Sequence, residues 1–316
     1  MTRILSLAEI RSALARVDAL AAMERAFVAY SQGRAVVPPV GELLFEDPPA
    51  DVHIKYGYVR GDGYYVIKVA SGFYQNPQLG LPSSNGLMLL FSRHTGVLEA
   101  VLLDEGHLTD VRTAAAGAVA ARYLAPREPG CIGIIGSGIQ AALQLANLAR
   151  VTSCRKVLVW GRNPDRVAAW REQFANGEFD VAAAADIDTL VDRCRLIVTT
   201  TPATAPLLEA VHAGTHITAV GADAPHKQEL APSVLAAADI VAVDSLSQSD
   251  SRGEVYRAVD AGELGRGAAV ELGRIVSGEL PGRTRREQIT VADLTGVATQ
   301  DIEIARAVYE ETVHAH

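Results

Sequence analysis

The second half of the chain alternates short apolar runs with segments that carry apolar residues at helical spacing. The apolar runs lie at residues 131–135, 156–160, 196–200, 216–220 and 240–243. Helical spacing follows the first two runs, at 140–150 and 164–174. Continuous apolar strands that alternate with helices are typical of a parallel sheet covered on both faces. This half therefore predicts an α/β domain with a parallel sheet.

The first half shows a different pattern, in which prolines and glycines separate short alternating runs. Residues 64–69 and 86–91 have strand-like apolar runs, and they lie within a proline- and glycine-rich region over 36–103. We expect a mostly antiparallel sheet here, and therefore an α+β domain that precedes the α/β domain.

Three helices are predicted around this first sheet. Helical spacing over 7–32 predicts one helix that begins with a capping box of Ser6 and Glu9. A second helix is expected over 109–124. A third is expected over 298–314 and should pack back onto the first domain.

The segment from Pro126 to Pro129 is the predicted domain boundary, because its two prolines interrupt regular structure. We expect a first domain at 1–125, completed by a C-terminal helix at 298–316. The second domain is expected at 126–297.

The composition narrows the possible functions. The chain has 316 residues, a formal net charge of -8 and a pI of about 5.5. This charge provides no basic field for nucleic acid or an anionic membrane, so we expect neither as a partner. The three cysteines lack the spacing of a zinc site or a disulfide framework, and no signal peptide or membrane-spanning stretch is recognisable. We expect a cytoplasmic protein without a metal site.

A glycine-rich turn follows the first apolar run of the second domain. From Gly136 to Ala141 it reads GSGIQA, and Ala141 stands where the dinucleotide fingerprint has its third glycine. Gly136 permits a tight turn, and Gly138 lets the backbone approach a pyrophosphate at a helix N-terminus. The alternative is a strand–helix turn without a ligand. The order of strand, turn, helix and second strand predicts a Rossmann-type domain that binds a nicotinamide dinucleotide.

The end of the second apolar run bears on the choice of cofactor. Enzymes that use NAD normally place an acidic residue here, against the ribose 2′-hydroxyl. This chain has Gly161, Arg162 and Asn163 instead, and its next carboxylate is Asp165. An arginine pairs a 2′-phosphate with its planar guanidinium. NADP(H) is therefore favoured and NAD(H) is possible; the alternative is that Arg162 is a solvated surface residue.

Three polar residues lie in surroundings otherwise rich in alanine and glycine. Lys68 follows a strand run, Arg112 opens a helix, and Asp223 follows the run that ends at Val220. Open α/β sheets bind ligands at the carboxyl ends of their strands. Two cations to hold a carboxylate and one acid for the amine form the minimum set for hydride exchange at an amino-acid α carbon. Each residue also has a plainer alternative, as an edge-strand charge, a helix-end surface residue or a turn residue.

At these positions the chain resembles the ornithine cyclodeaminase/mu-crystallin family over nearly its full length. The matching stretches are Lys68 with Asn76-Pro77 and Leu81-Pro82, then 108–115, 134–140, 220–230 and 293–301. The resemblance implies a homodimer built through the first domain, with the active site between that domain and the Rossmann-type domain. It implies that Lys68 and Arg112 bind the substrate carboxylate and that Thr295 faces the substrate. Asp223 would be the catalytic acid/base, and Lys68 is counted as a second catalytic residue.

The resemblance also assigns dinucleotide contacts along the chain. They are Ser83, Arg112, Thr113, Ile139, Gln140, Thr201, Val220, Lys227 and Leu294, in addition to Gly136, Gly138, Gly161, Arg162 and Asn163.

Three departures from the family pattern bear on the substrate. Cyclodeaminases carry a carboxylate-binding arginine after the proline-rich stretch, but no arginine occurs between Arg34 and Arg60. An acidic residue is missing from the strand before Lys68, and this strand carries Lys55 instead. Lys55 is a candidate to replace the missing arginine; the alternative is that Lys55 faces outward from the strand. A lysine is a poor neighbour for a second substrate amine. Gly161 replaces the acid that cyclodeaminases place at the cofactor ribose.

These residues favour a reductase or dehydrogenase that exchanges hydride with the α carbon of a small imino or amino acid. The alternative is an ornithine/lysine-type cyclodeaminase that releases ammonia and recycles NAD. A third possibility is a binding protein that keeps the dinucleotide fold without turnover. For all three we expect an α/β fold, with a Rossmann-type parallel sheet domain and an α+β substrate and dimerisation domain.

Overall fold

The computed structural model describes residues 2–314, and the chain divides into two compact units. One unit contains the residues up to Arg112 and those from Ala298 onward, and the other contains Thr113–Val297. The division falls inside the helix His107–Leu124, so the predicted boundary at 125–126 stays a prediction. Residues 1, 315 and 316 of the predicted domain ranges lie outside the described residues.

The first unit is built on a mainly antiparallel sheet. Its strands are β1 (Arg3–Leu5), β2 (Ala35–Val36), β3 (Gly41–Phe45), β4 (Ala50–Val59), β5 (Tyr64–Phe73), β6 (Ser84–Ser92) and β7 (Leu98–Leu102). They follow the order β1-β7-β6-β5-β4-β2, and β3 also pairs with β4. Strand β1 runs parallel to β7, and the other described pairings are antiparallel. The predicted antiparallel sheet is confirmed, and a 3₁₀ helix at Asn76–Leu79 follows β5 in the sequence.

The N-terminal helices correct one prediction. The predicted capping box opens α1 (Leu7–Leu14). The single helix expected over 7–32 is wrong, because a second helix, α2 (Ala19–Ser31), begins at Asp18. The Asp18 carboxylate accepts two backbone amides of the first turn of α2, at 3.2 and 3.3 Å. A side chain that caps a helix in this way fixes a new helix start, even where apolar spacing continues across it.

The other two helices agree closely with their predictions. Helix α3 (His107–Leu124) begins at His107 rather than Thr109. The last helix, α10 (Ala298–His314), has the expected bounds among the described residues. It packs against α2, β4 and β5 of the first unit, as predicted.

The second unit is built on a parallel sheet with helices between its strands. Its strands are β8 (Ile132–Ile135), β9 (Lys156–Trp160), β10 (Asp180–Ala183), β11 (Leu196–Thr199), β12 (Thr204–Leu208), β13 (His216–Ala219), β14 (Gln228–Leu230), β15 (Ile240–Val243), β16 (Val270–Glu271) and β17 (Thr290–Asp293). Its helices are α4 (Ile139–Leu148), α5 (Pro164–Glu172), α6 (Ile187–Arg193), α7 (Pro232–Ala236), α8 (Gly253–Asp260) and α9 (Leu272–Val276). The main sheet has the order β10-β9-β8-β11-β13-β17-β15-β16, and β12 pairs separately with β14. These strands are parallel, so the predicted Rossmann-type α/β fold is confirmed.

Strand β17, in the interior of this sheet, was not predicted from the sequence, and neither were the edge strands β10 and β16. Strand β17 lies between β13 and β15, and all four of its residues are buried. Its polar ends obscure the apolar pattern, but both have partners in the structure. The Thr290 hydroxyl donates to the Leu124 carbonyl at 2.9 Å, and Asp293 accepts the Val255 amide at 2.9 Å. Buried polar groups are tolerated when they are hydrogen-bonded, so this short polar segment forms a central strand.

Apolar side chains fill both faces of the parallel sheet and hold the loops at its carboxyl edge. Those loops follow β8, β9, β11 and β13, and they contain the glycine turn, Arg162 and Asp223. Across residues 2–314, no helix is both long enough and apolar enough to cross a membrane.

Candidate active site

A buried cluster of charges lies in the first unit, where Lys68 and Arg112 share one carboxylate. The Lys68 Nζ lies 3.1 and 3.0 Å from the two carboxylate oxygens of Asp301. The Arg112 Nε donates to Asp301 Oδ1 at 3.0 Å, and its Nη1 donates to Gln300 Oε1 at 3.0 Å. These four residues are between 0 and 6% exposed. The shared carboxylate therefore brings together the two cations expected to bind a substrate carboxylate.

Lys55 belongs to the same cluster. The register of β4 and β5 places Lys55 directly opposite Lys68, so the two side chains leave the same face of the sheet. Lys55 is 9% exposed, and its charge acts on both Lys68 and Asp301. The alternative of an outward-facing strand lysine is therefore wrong, while a role in substrate binding stays a prediction.

The charges of this cluster change one another's protonation. Burial, with smaller contributions from the charges of Arg112 and Lys55, lowers the pKa of Lys68 to about 7 against the attraction of Asp301. Burial alone would raise the pKa of Asp301, but Lys68, Arg112 and Lys55 hold it below its usual value. Asp301 is therefore ionised at neutral pH, and Lys68, Arg112 and Lys55 all stabilise its charge. A buried cluster of basic side chains is suited to bind an anion.

Neither Asp301 nor Gln300 was predicted from the sequence to have a role. Both lie in the first turn of α10, where residues 298–305 are all buried. A carboxylate on the buried face of a helix needs a cation or strong donors, because an unpaired buried charge is costly. That requirement is a usable signal, but the sequence does not reveal which helix face is buried.

The glycine turn of the second unit is shaped by Gly136 and Gly138. Gly136 has a φ of +123°, and an added Cβ would lie 2.5 Å from the Thr200 hydroxyl, so only glycine fits. Gly138 is the N-cap of α4, and no side chain caps the amides at that helix end. Apart from its neighbours in the chain, a Cβ on Gly138 would meet no protein atom within 4 Å, and this residue lines a cavity. Both features leave space for a pyrophosphate at the helix N-terminus.

A cavity of about 430 Å³ lies beside this turn. It is lined by Gly136, Ser137, Gly138, Trp160, Gly161, Arg162, Asn163, Arg166 and residues 200–207. None of these described lining residues is acidic, and two of them, Arg162 and Arg166, are arginines. Asn163 also caps α5, since its Oδ1 accepts the Arg166 amide at 3.1 Å. The glycines, the helix end and the arginines together fit the phosphates of a dinucleotide. Arg162 was predicted from the sequence, whereas Arg166 was not.

Asp223 lies in the loop after β13, at the carboxyl edge of the parallel sheet where the sequence analysis expected it. Its side chain is 54% exposed, and its Oδ1 accepts the Lys227 ammonium at 2.7 Å. Lys227 was assigned to the dinucleotide by resemblance, but in this structure it contacts the candidate acid. The roles of both residues stay predictions.

Glu229, which was not predicted from the sequence to have a role, holds the backbone just before Asp223. Its fully buried carboxylate accepts the Thr199 hydroxyl at 2.7 Å, the Gly221 amide at 2.8 Å and the Thr201 amide at 2.5 Å. These bonds join the carboxyl ends of β11 and β13. Burial raises the pKa of Glu229, while the same donors oppose that rise. An acid at the centre of the short strand β14 (Gln228–Leu230), just before the buried Leu230 and Ala231, is the sequence signal that points to it.

The Thr295 hydroxyl forms hydrogen bonds with other residues of the second unit. Thr295 is 3% exposed, and its hydroxyl lies 3.1 Å from Asp244 Oδ1 and 3.2 Å from Gln248 Oε1. Its expected position facing the substrate therefore stays a prediction.

The remaining predicted dinucleotide residues differ in exposure. Ile139, at the start of α4, is 68% exposed, and Ser83 is also exposed, whereas Leu294 is 5% exposed. Thr113, Gln140, Thr201 and Val220 are half-buried.

Comparison with known proteins places this chain among nicotinamide enzymes. A model of the ornithine cyclodeaminase/mu-crystallin family matches residues 1–316. An uncharacterised cyclodeaminase of Sinorhizobium fredii is 44% identical over 299 residues, which cover 93% of this chain and 90% of that protein. The structure of an archaeal alanine dehydrogenase dimer with bound NAD matches with a TM-score of 0.91 and 34% identity, covering 99% of this chain and 97% of that one. The Thermococcus litoralis Δ1-pyrroline-2-carboxylate reductase, solved with NADH and L-proline, matches with a TM-score of 0.92 and 26% identity, covering 99% and 98%.

Proposed function

Because the chain belongs to the ornithine cyclodeaminase/mu-crystallin family, we propose that it is an NAD(P)-dependent oxidoreductase that acts at the α carbon of a small imino or amino acid. The observation that carries this proposal is the buried cluster in which Lys68 and Arg112 share the single carboxylate of Asp301. A dinucleotide bound beside the glycine turn would supply the hydride for reduction, or accept it for oxidation. In the reductive direction, the carbon of a C=N bond gains a hydride and its nitrogen gains a proton.

Lys68 and Arg112 are assigned to hold the substrate carboxylate. Both side chains are already buried and fixed by Asp301, so binding orders them little further. A carboxylate held in one position fixes the adjacent α carbon, and such positioning is a main source of rate enhancement. The basic side chains of Lys68 and Arg112 also favour an anionic substrate over a neutral one.

Asp223 is assigned to supply the proton that the imine nitrogen needs. Its carboxyl group is partly open to solvent, which allows the proton to be replaced after each turnover. The bonds of Glu229 to Gly221 and Thr201 fix the backbone from which the Asp223 loop departs. Enzymes typically transfer protons through a side chain that is held in position in this way.

NADP(H) is the cofactor that the cavity favours. Arg162 and Arg166 both line it, and an arginine binds a 2′-phosphate with paired, charge-assisted hydrogen bonds. The related structures hold NAD or NADH, so a preference for NADP(H) would distinguish this chain from them.

The proposed function is tested by the absorbance of the reduced nicotinamide. NADPH and NADH are supplied in parallel, with cyclic ketimine carboxylates and with pairs of 2-oxo acids and ammonium. We expect substrate-dependent oxidation, with kcat/KM higher for NADPH. The double variant Arg162→Ala/Arg166→Ala is expected to lower kcat/KM for NADPH by about 10- to 100-fold and to leave NADH nearly unchanged. The matched control is the variant Lys156→Met, which removes the charge of an exposed lysine on β9.

Ornithine and lysine serve as the opposing substrates in that assay. Ammonia release from either, without net change in the nicotinamide, would replace the oxidoreductase proposal by the cyclodeaminase alternative. The buried charge of Lys55 disfavours that alternative, because a second substrate amine would be repelled there.

The first unit is proposed to form a homodimer. Strand β3 exposes three consecutive apolar side chains, Leu43, Leu44 and Phe45, which are 54, 76 and 44% exposed. Exposed apolar patches of this kind mark interaction surfaces, and the related alanine dehydrogenase is a dimer. We expect Leu44→Asp to weaken dimerisation at least about 10-fold, measured by light scattering over a dilution series. Val97→Asp, at another exposed apolar residue, is the control; equal dissociation of both variants, or a monomeric wild type, would contradict the proposed interface.

A further inference from the structure

The side chain of Ser137 reaches the end of β9 from the glycine turn. Ser137 lines the cavity of about 430 Å³ beside that turn. The Gly136 amide donates to the Trp160 carbonyl at 2.8 Å, which holds the turn against the last residue of β9. A Cβ added at Gly161 would lie 3.3 Å from the Ser137 Oγ. The Ser137 hydroxyl therefore lies against the first residue after β9.

The space at Gly161 is restricted on two sides. Enzymes that use NAD place an acidic side chain at this strand end, against the ribose 2′-hydroxyl. Here an added Cβ would lie 3.0 Å from the Val167 Cγ2 as well as 3.3 Å from the Ser137 Oγ, and both distances are shorter than an ordinary van der Waals contact. Val167 is 5% exposed and belongs to the core of the second unit, so it has little room to move. A side chain at position 161 would therefore have to displace Ser137.

Ser137 offers a hydroxyl where NAD enzymes have a carboxylate. A carboxylate accepts a hydrogen bond from the ribose 2′-hydroxyl and repels a 2′-phosphate, whereas a serine hydroxyl can donate to that phosphate. Arg162 directly follows Gly161, and Arg166 lies in the first turn of α5; both line the same cavity. The hydroxyl and the two guanidinium groups form a set of donors suited to a phosphate.

We propose that Ser137 determines the choice of cofactor, because its hydroxyl donates to the 2′-phosphate and its side chain restricts the space that an acid at position 161 would need. This inference rests on the proposed function and adds a residue to its preference for NADP(H). Ser137 acts at the position where the two cofactors differ. A hydrogen bond to a charged phosphate is stronger than one to a ribose hydroxyl, so the same serine favours the phosphorylated cofactor. The restricted space at Gly161 disfavours the alternative, and specificity often combines both effects.

Two adenosine phosphates test the hydroxyl without any need for turnover. Adenosine 2′,5′-bisphosphate and adenosine 5′-monophosphate differ only in the 2′-phosphate, and titration calorimetry measures the Kd of each. We expect the wild type to bind the bisphosphate at least about 10-fold more tightly. Ser137→Ala should lose about 5- to 20-fold in affinity for the bisphosphate and less than about 3-fold for the monophosphate. Ser153→Ala, at an exposed serine that does not line the cavity, should bind both as the wild type does.

A double-mutant cycle tests the restricted space. Gly161→Asp introduces the acid of NAD enzymes, once in the wild type and once in Ser137→Ala. We expect the acid to improve affinity for the monophosphate at least about 5-fold more in the Ser137→Ala background, because alanine lacks the Oγ that lies 3.3 Å from the added Cβ. An equal effect of the acid in both backgrounds would overturn the steric part of the proposal.

The outcomes separate this proposal from the proposed function. If the wild type prefers the bisphosphate and Ser137→Ala keeps the full preference, the role of Ser137 is overturned and the oxidoreductase stays intact. Equal binding of the two ligands by the wild type would overturn both the role of Ser137 and the preference for NADP(H), but not the oxidoreductase. If no substrate is turned over with either cofactor, the proposed function fails, and the binding of the two adenosine phosphates still decides the role of Ser137.

Discussion

Replacing Asp223 by asparagine is expected to lower kcat for imine reduction by about 10²- to 10⁴-fold. The amide has nearly the shape of the carboxyl group and can still accept a hydrogen bond from Lys227, now 2.7 Å away, but it cannot supply a proton. Nicotinamide absorbance under saturating substrate measures the loss. Because Asp223 is exposed, we expect the free energy of unfolding to change by less than about 0.5 kcal/mol.

Asp180→Asn is the matched control for this variant, since Asp180 is an exposed aspartate on β10. It is expected to keep wild-type kcat. Full activity of Asp223→Asn would exclude Asp223 as the proton donor. A wild type that binds dinucleotide tightly, turns over none of the substrates and loses no binding in Asp223→Asn would identify a binding protein instead of an enzyme.

Replacing Asp301 by asparagine is expected to destabilise the protein by about 3–5 kcal/mol, measured by urea unfolding. The variant removes the one carboxylate that Lys68 and Arg112 share and leaves their charges buried. Asn cannot compensate, because its amide carries no charge and its NH₂ group is itself a donor. Asp192→Asn, at a surface ion pair with His212, should change the stability by less than about 1 kcal/mol.

The pH dependence of this loss of stability tests whether its origin is electrostatic. The pKa of Lys68 in the folded protein is about 7, below its usual value, so stability contributed by this group rises with pH above about 7. Without Asp301 the pKa of Lys68 falls further, and the variant sheds the proton at lower pH than the wild type. The stability deficit should therefore be smaller at about pH 8 than at about pH 6. A deficit that does not change with pH would indicate lost packing rather than unbalanced charge.

The local patterns of the chain were sufficient to predict the Rossmann-type unit. Its apolar strand runs and the helix after Gly138 are determined by side-chain hydrophobicity and backbone freedom, which are properties of neighbouring residues. Gly136 was predicted for the same reason. The tight turn requires a positive φ, here +123°, and glycine is the residue that adopts this backbone conformation without strain. The start of α2 was missed because the Asp18 cap interrupts a helical pattern whose apolar spacing continues.

The sequence by itself determined the fold class, the glycine turn, the family resemblance and the identity of Lys68, Arg112 and Asp223 as candidates. Only the tertiary structure decided that Lys55 faces Lys68 and that both cations lie around Asp301, a residue 233 positions after Lys68. It likewise decided that Glu229 joins the ends of β11 and β13. The physical reason is the range of the interactions: hydrophobic periodicity and turn geometry act between near neighbours in sequence. Charge pairing and buried hydrogen bonds depend on which distant segments the fold places within about 3 Å of each other.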